Sequence, residues 1–394
     1  MSHVAFVYSN PRHHAEMMAP VMAELVGRGV ACKAVSMAEL RGFATTPLPV
    51  DGVELRRAVP ARLRKNPSMG ASFGTGESRA RSVRRAAQLA IWAGWLAPRL
   101  AWLTRDSAAM VVPNDAAFPY RELVGLSRLT RTPFVLMQEG IRFPLPGVRE
   151  EDAYGRAGAA VICAWGEASA EYFRSQGAPS DSVQVTGNPR FDSFDVAAWQ
   201  ERGEALARSL NLSRPPLLYL SNPIDDQGYC STADKMALFR AFADEVADLL
   251  AEQDRHLLVK LHPREHVAEF RRAAGESRAA ARTRVLDLEQ PLFAALACAG
   301  AAVVLASTVG LEALLFGRPL GVLEVPGAGF VFDYVQSGAA RGLRPGQLAG
   351  TVAELFAAAD ANGVRSRYLE RHLAHRGQAA SRVASLVDAV RRGP

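Results

Sequence analysis

Short apolar runs alternate along the chain with longer stretches in which apolar residues recur at helical spacing. The runs predict strands at 4–8, 109–112, 134–137, 159–163, 183–185, 217–220, 257–261, 303–305 and 320–323. Helical spacing follows at 15–27, and again at 196–211 and 310–316. Each early run ends in polar residues or glycine: Pro113-Asn114-Asp115, Gln138-Glu139-Gly140, Trp165-Gly166-Glu167 and Thr186-Gly187-Asn188. Wholly apolar strands alternating with helices imply an α/β fold whose parallel sheet is covered on both faces. The rhythm breaks after 190 and restarts beyond Ser213-Arg214-Pro215-Pro216, so two similar domains are expected, with residues 1–190 in the first. At 394 residues the chain is long enough for both. In parallel sheets ligands bind beyond the carboxyl ends of the strands, which places function in the cleft that two such domains would form by facing each other.

Charge changes this picture in one place. The formal net charge is +6, but residues 56–85 hold nine Arg/Lys (Arg56, Arg57, Arg62, Arg64, Lys65, Arg79, Arg81, Arg84, Arg85) against the single acid Glu77. The positive charge is local, which argues for one surface meeting an anionic partner and against general nucleic-acid binding. Cys32, Cys163, Cys230 and Cys298 are widely spaced, so neither a disulfide framework nor a structural zinc site is implied, and a reducing cytoplasm fits. The N-terminus enters a strand pattern without a signal-peptide pattern. The apolar stretch 86–103 contains Gly94, Pro98 and Arg99 and is a poor spanning helix, which needs about 20 apolar residues. Trp92, Trp95 and Trp102 follow the basic cluster directly. Residues 56–103 therefore read either as a buried helix with solvated arginines, as a holder of an anionic glycan, or as an anchor resting on an anionic inner-membrane face.

Two strand ends can grip a phosphate. The first, Lys260-Leu261-His262-Pro263-Arg264, places an ammonium and an imidazole after a buried strand, and Pro263 restrains His262 to extended backbone. The second, Ser307-Thr308-Val309-Gly310-Leu311-Glu312, places hydroxyls at a helix start, where backbone N–H groups favour an anion. Gly310 would let a ligand come close, and Glu312 is placed to accept from ribose hydroxyls. Each has a plain structural alternative: His262 as a helix-capping histidine, Ser307 and Thr308 as N-caps, and Glu312 as a first-turn acid.

The combination of 260–264 with Ser307 to Pro319 resembles the His-Pro and Ser motifs of GT-B glycosyltransferases. It is most similar to the branch with bacterial sialyl, polysialyl and Kdo transferases and the CDP-glycerol glycerophosphotransferases. Thr186-Gly187-Asn188-Pro189-Arg190-Phe191-Asp192 resembles the segment by which those enzymes, and the UDP-N-acetylglucosamine 2-epimerases, pass between domains. Residues 368–390 resemble the closing helix that crosses back to the first domain. The resemblance implies two Rossmann-like domains, 1–190 with 372–394 for the acceptor and 191–371 for the nucleotide donor. It implies that Lys260, His262, Ser307, Thr308 and Gly310 hold the donor phosphate, that Glu312 holds the nucleoside, and that Asn188 and Arg190 line the hinge side. The co-substrate would be a CMP- or UDP-sugar, with no further cofactor and no metal. The acceptor would be a glycan, a lipid-linked compound or a small molecule.

A transferase of this kind needs a proton acceptor on the acceptor side. Glu139 is the first choice, followed by His13 or His14, and then Asp115. Asp225-Asp226-Gln227-Gly228 reads as a loop after the strand 217–220. An isomerase of the 2-epimerase type is the main alternative, although those enzymes show His-Arg-x-Glu-Asn where this chain has His262-Pro263-Arg264-Glu265-His266. A non-catalytic binding module of the same fold is the third reading.

Overall fold

The computed structural model describes residues 2–64, 86, 89–141, 154–358, 360 and 363–393; Lys65, Arg79, Arg81, Arg84 and Arg85 lie outside the described residues. The chain divides into two units, one formed by the chain up to Phe194 together with Glu370 onward, the other by Asp195–Leu369.

The first unit runs β1 (His3–Tyr8), α1 (His13–Gly27), β2 (Cys32–Ser36), β3 (Glu54–Arg57), α2 (Ala97–Leu103), β4 (Ser107–Val112), α3 (Tyr120–Leu129), β5 (Phe134–Met137), β6 (Val161–Ala164), α4 (Glu167–Ser175) and β7 (Val183–Val185). Its sheet has the order β3-β2-β1-β4-β5-β6-β7, and every pair is parallel. All six residues of β1 are buried, because helices cover both faces of the sheet. The edge strand β3 has no apolar run, and Arg56 and Arg57 of the basic cluster belong to it.

The division after Phe194, rather than after Arg190, keeps Pro189–Phe191 with the first unit, where this short turn packs on α1. The expected single closing helix over 368–390 is two helices, Val364–His372 and Ala379–Arg392, interrupted at 373–378. The interruption lets the returning chain meet the Thr186–Asp192 segment. Gly187 sits at φ +86°, and a Cβ there would overlap the carbonyl of Ala374. The Asp192 carboxylate accepts from the N–H groups of Gly377 (3.0 Å), Ala379 (3.0 Å) and Ala380 (2.6 Å), the last two being orphan donors at the start of the last helix.

The second unit runs α5 (Val196–Ser209), β8 (Leu217–Leu220), α6 (Thr232–Glu252), β9 (Leu257–Lys260), α7 (Val267–Gly275), β10 (Thr283–Val285), α8 (Leu292–Cys298), β11 (Ala301–Val304), α9 (Val309–Leu315), β12 (Leu320–Leu323), β13 (Arg341–Leu343) and α10 (Leu348–Ala357). Its sheet order, β10-β9-β8-β11-β12-β13, repeats the pattern of the first six strands of the other sheet, again all parallel. The edge strand β10 is only three residues long and has no unbroken apolar run. Tyr219, Phe239, Phe242 and Phe270 pack edge-to-face or tilted, with ring centroids 5.2–5.4 Å apart, between β8, α6 and α7 and fix this core.

In each sheet the chain winds outward in both directions from a central pair, β1/β4 in one and β8/β11 in the other. The crevice at such a switch point, outside the carboxyl ends of the strands, is where doubly wound sheets bind ligands. Most of the candidate residues lie beside these two points.

Candidate active site

In the first unit, α1, which follows β1, opens with His13 and His14, the loop after β4 carries Asn114 and Asp115, and β5 is followed by Gln138-Glu139-Gly140. The strands are neighbours in the order β1-β4-β5, so the sheet brings these three ends together. Asn10 Oδ1 accepts from the N–H groups of Arg12 and His13 at 3.0 and 3.1 Å, folding the loop into the start of α1. That turn aims the N–H of Asn10 at Nδ1 of His14, 3.2 Å away. With Nδ1 accepting, the imidazole proton resides on Nε2, which donates to Glu139 Oε1 at 2.8 Å. Glu139 Oε2 accepts from Asn114 Nδ2 at 3.2 Å.

The backbone of Glu139 is also clamped. Its N–H donates to Tyr154 Oη, which donates in turn to the carbonyl of Pro113, both at 2.7 Å. Gln138 accepts from Trp165 N–H and donates to Gly140 and Ser169. The Glu139 side chain is nevertheless 32% exposed, whereas His14 is only 3% exposed. The result is a carboxylate braced at both oxygens and partly exposed. His13 is half-buried, and burial, reinforced by the charges of His14 and Arg190, pushes its imidazole down to about 4.

Asp115 has a different role. It is buried, and its two oxygens accept from the N–H groups of Gly155 (2.8 Å) and Ala157 (3.0 Å), anchoring the loop that precedes β6. Asn188 caps the Pro189–Phe191 turn through Arg190 N–H, and the Arg190 guanidinium pairs with Glu16 of α1 at 2.8 Å. Both belong to the first unit. Asn114 is a member of the cluster that the sequence alone does not separate from Asp115 beside it. Among the described residues no group of three His, Cys, Asp or Glu side chains is arranged to hold a metal ion.

In the second unit, His262 follows β9 and Ser307 follows β11, with β8 between them, so about two strand spacings, roughly 10 Å, separate them. Nδ1 of His262 accepts from Arg264 N–H at 3.2 Å, which leaves the proton on Nε2 as the donor. Burial, together with the charges of Arg264 and Lys260, pushes this imidazole down to about 4, so it is neutral at pH 7. Ser307 Oγ accepts from Val309 N–H at 3.3 Å. The space left by Gly310 is filled by the Tyr334 ring, which a Cβ would meet at 2.6 Å, rather than left open to a ligand. The Tyr334 hydroxyl donates to the carbonyls of Ser307 (3.3 Å) and Thr308 (3.4 Å) and so props the turn from below. Lys260 Nζ donates to the carbonyls of Leu288 (3.1 Å) and Leu261 (3.4 Å). Glu312 is buried, one turn into α9.

Beneath the His262 loop lies an ion cluster. Lys235 of α6 reaches Asp225 at 2.7 Å and Glu265 at 3.2 Å, with the three side chains only 6%, 14% and 1% exposed. Burial pushes the Glu265 carboxyl up, against the hydrogen bond from Ser221 and the charge of Lys235. Burial alone would lower the Lys235 ammonium, but the bond to Asp225 and the two carboxylate charges hold it above its ordinary value. Glu265 N–H donates to the His262 carbonyl at 2.9 Å, so the cluster sets the course of the loop. Asp225 is therefore a structural member of this cluster. Asn222, after β8, donates to the Ala306 carbonyl at 2.8 Å and ties the two sides of the switch point together.

A pH test follows from His262. Its folded value lies below the 6.5 of an unfolded chain, so the unfolded state takes up a proton first as pH falls. The stability that depends on the neutral ring is full above 6.5 and is lost as pH falls toward 4. Allowing for partial exposure, His262→Gln should remove roughly 2 kcal/mol of the loss between pH 7 and pH 4, measured by urea unfolding at both values.

Neither a family model nor a curated protein matches the sequence. Solved structures do. The chain is similar over 99% of its length to the UDP-GlcNAc 2-epimerase of Methanocaldococcus jannaschii, covering 100% of that chain at 12% identity and a TM-score of 0.61. It is similar over 98% to the UDP-GlcNAc 2-epimerase of Neisseria meningitidis bound to UDP-GlcNAc, covering 98% of that chain at 13% identity and a TM-score of 0.59. It is also similar over 99% to CalG4, the calicheamicin glycosyltransferase, covering 98% of that chain at 15% identity and a TM-score of 0.59. With two parallel sheets of seven and six strands, these likenesses establish the expected α/β fold of GT-B type.

Proposed function

We propose that the protein is a glycosyltransferase that moves a sugar from a CMP- or UDP-linked donor to a hydroxyl of an acceptor in surface-glycan or glycoconjugate synthesis. The observation that carries this reading is Glu139, a partly exposed carboxylate braced by His14 and Asn114 at a switch point. In the reaction, Glu139 takes the acceptor's hydroxyl proton as the new sugar–oxygen bond forms and the sugar–phosphate bond breaks. Nε2–H of His262 donates to the departing phosphate oxygen, and the Ser307-Thr308 turn holds the remaining phosphate oxygens. His14 is a positioning residue rather than the base, because the Asn10 N–H already occupies Nδ1.

A second reading has its own support, since the Neisseria relative holds UDP-GlcNAc and is an epimerase. Incubation with UDP-, CMP- and GDP-sugars separates the two. Nucleotide release or a modified acceptor supports the transferase, and an epimer formed without acceptor supports the isomerase. A nucleotide present at 100 times its Kd should add about 2.7 kcal/mol to stability. If none of the three nucleotides raises the melting temperature, both readings fail.

A further inference from the structure

The segment before β4 has two apolar sides. Leu96, Leu100 and Leu103 enter the core of the first unit, and Trp92 and Trp95 pack partly against it. Ala58 and Val59 enter the same core, and Arg99 donates to the Arg57 carbonyl at 3.0 Å, so the chain around 57–64 lies beside α2. The other apolar side faces water. Ile91 (51%) and Trp102 (54%) are exposed there, Leu89 (43%) is exposed one turn before Trp92, and Leu63 (55%) is exposed in the neighbouring chain. Four of the six large apolar side chains exposed among the described residues thus fall between 63 and 102. A solvated helix ordinarily presents charge on its outer side; this one presents aliphatic and indole groups.

The charge beside them has one sign. Residues 56–64 and 89–105 contain six arginines, Arg56, Arg57, Arg62, Arg64, Arg99 and Arg105, and no acid. Arg57, Arg62 and Arg64 are exposed, and the Arg105 guanidinium lies 5.4 Å from the Trp102 ring. Neighbouring acids take up part of this charge, since Arg56 pairs with Glu54 and Arg105 lies 3.9 Å from Asp106. No described helix is long and apolar enough to cross a membrane.

We propose that this face docks on the surface of an anionic lipid bilayer, with Ile91 and Trp102 entering the headgroup and acyl boundary and the arginines meeting lipid phosphates. The aliphatic side chains decide the occupant. An anionic glycan would satisfy the arginines and could stack on Trp102, but it gives Ile91 and Leu63 no apolar medium, whereas a bilayer interface accepts all three types. The proposal stands apart from the catalytic reading and survives if that reading fails.

The test is flotation of the whole protein with vesicles of phosphatidylcholine alone or with 30% phosphatidylglycerol added, at low and high salt. The expected result is binding to the anionic vesicles only, weakened by salt, because the arginine contribution is screened. Trp102→Glu should lower the partition coefficient at least tenfold at an unchanged melting temperature, and Arg62→Glu with Arg64→Glu should do the same. Binding to neither vesicle, equal binding to both, or wild-type partitioning of these variants overturns the proposal. So does a concentration-dependent dimer abolished by Trp102→Glu, or binding of a soluble polyanionic glycan that displaces the protein from vesicles without needing Trp102.

Discussion

Glu139→Gln should lower turnover by about 10²–10⁴-fold, the ordinary contribution of a general base. The amide has the shape of the carboxylate and still offers an oxygen to His14 Nε2–H, so the fold and the clamp on the 138–140 backbone should persist. What it lacks is a site for the acceptor's proton. The nucleotide-dependent rise in melting temperature should stay at the wild-type value, because the proposed phosphate groups are carried by β9 and β11 of the second unit. His14→Gln should lower turnover less and shift its pH profile, since the carboxylate remains but loses the donor that orients it. A Glu139→Gln protein that turns over within twofold of wild type would remove Glu139 from the chemistry. The base would then be sought at His13, which is neutral at pH 7 and half-buried beside the same cluster.

Lys235→Ala should destabilise the protein by about 3–5 kcal/mol, the usual consequence of removing one partner from a buried ion cluster. Asp225 and Glu265 would then face each other inside the second unit without the cation between them. Glu265 is the more buried of the two and already titrates high, so in the variant it should hold its proton to still higher pH. The folded variant then binds a proton that the unfolded chain has released. Its deficit should therefore be smallest near pH 4.5 and grow as pH rises, which urea unfolding of both proteins across pH 4.5 to 8 measures directly. A triple variant, Lys235→Met with Asp225→Asn and Glu265→Gln, should recover most of the loss by removing the charges together. Because the Glu265 N–H fixes the His262 carbonyl, Lys235→Ala should also weaken nucleotide binding, although Lys235 itself touches no proposed ligand group. A deficit below 1 kcal/mol would show that the cluster does not hold this loop.

Central strands were easy to read because burial on both faces writes itself as an unbroken apolar run, as in β1, β8 and β9. The edge strands β3, β10 and β13 are short, and all three expose arginines, so the same logic hides them. Thr186-Gly187-Asn188 was legible as a motif, but its physical content was not. Gly187 is needed by a backbone approach from Ala374, nearly two hundred residues away, and Asp192 is needed by helix N–H groups just as distant. Gly310 likewise reads as room for a ligand until Tyr334 is seen filling that room.

By itself, then, the sequence determined that there are two doubly wound α/β units and that polar groups cluster at the carboxyl ends of their strands. Both follow from local periodicity and turn chemistry, which are properties of neighbouring residues. Tertiary structure alone decided which polar residues act together. His14 meets Glu139 across 125 residues, Asp115 turns to the backbone of 155 and 157, and Lys235 joins Asp225 to Glu265 under the His262 loop. Strand order brings such groups together, and strand order is set by long-range pairing that no local pattern encodes.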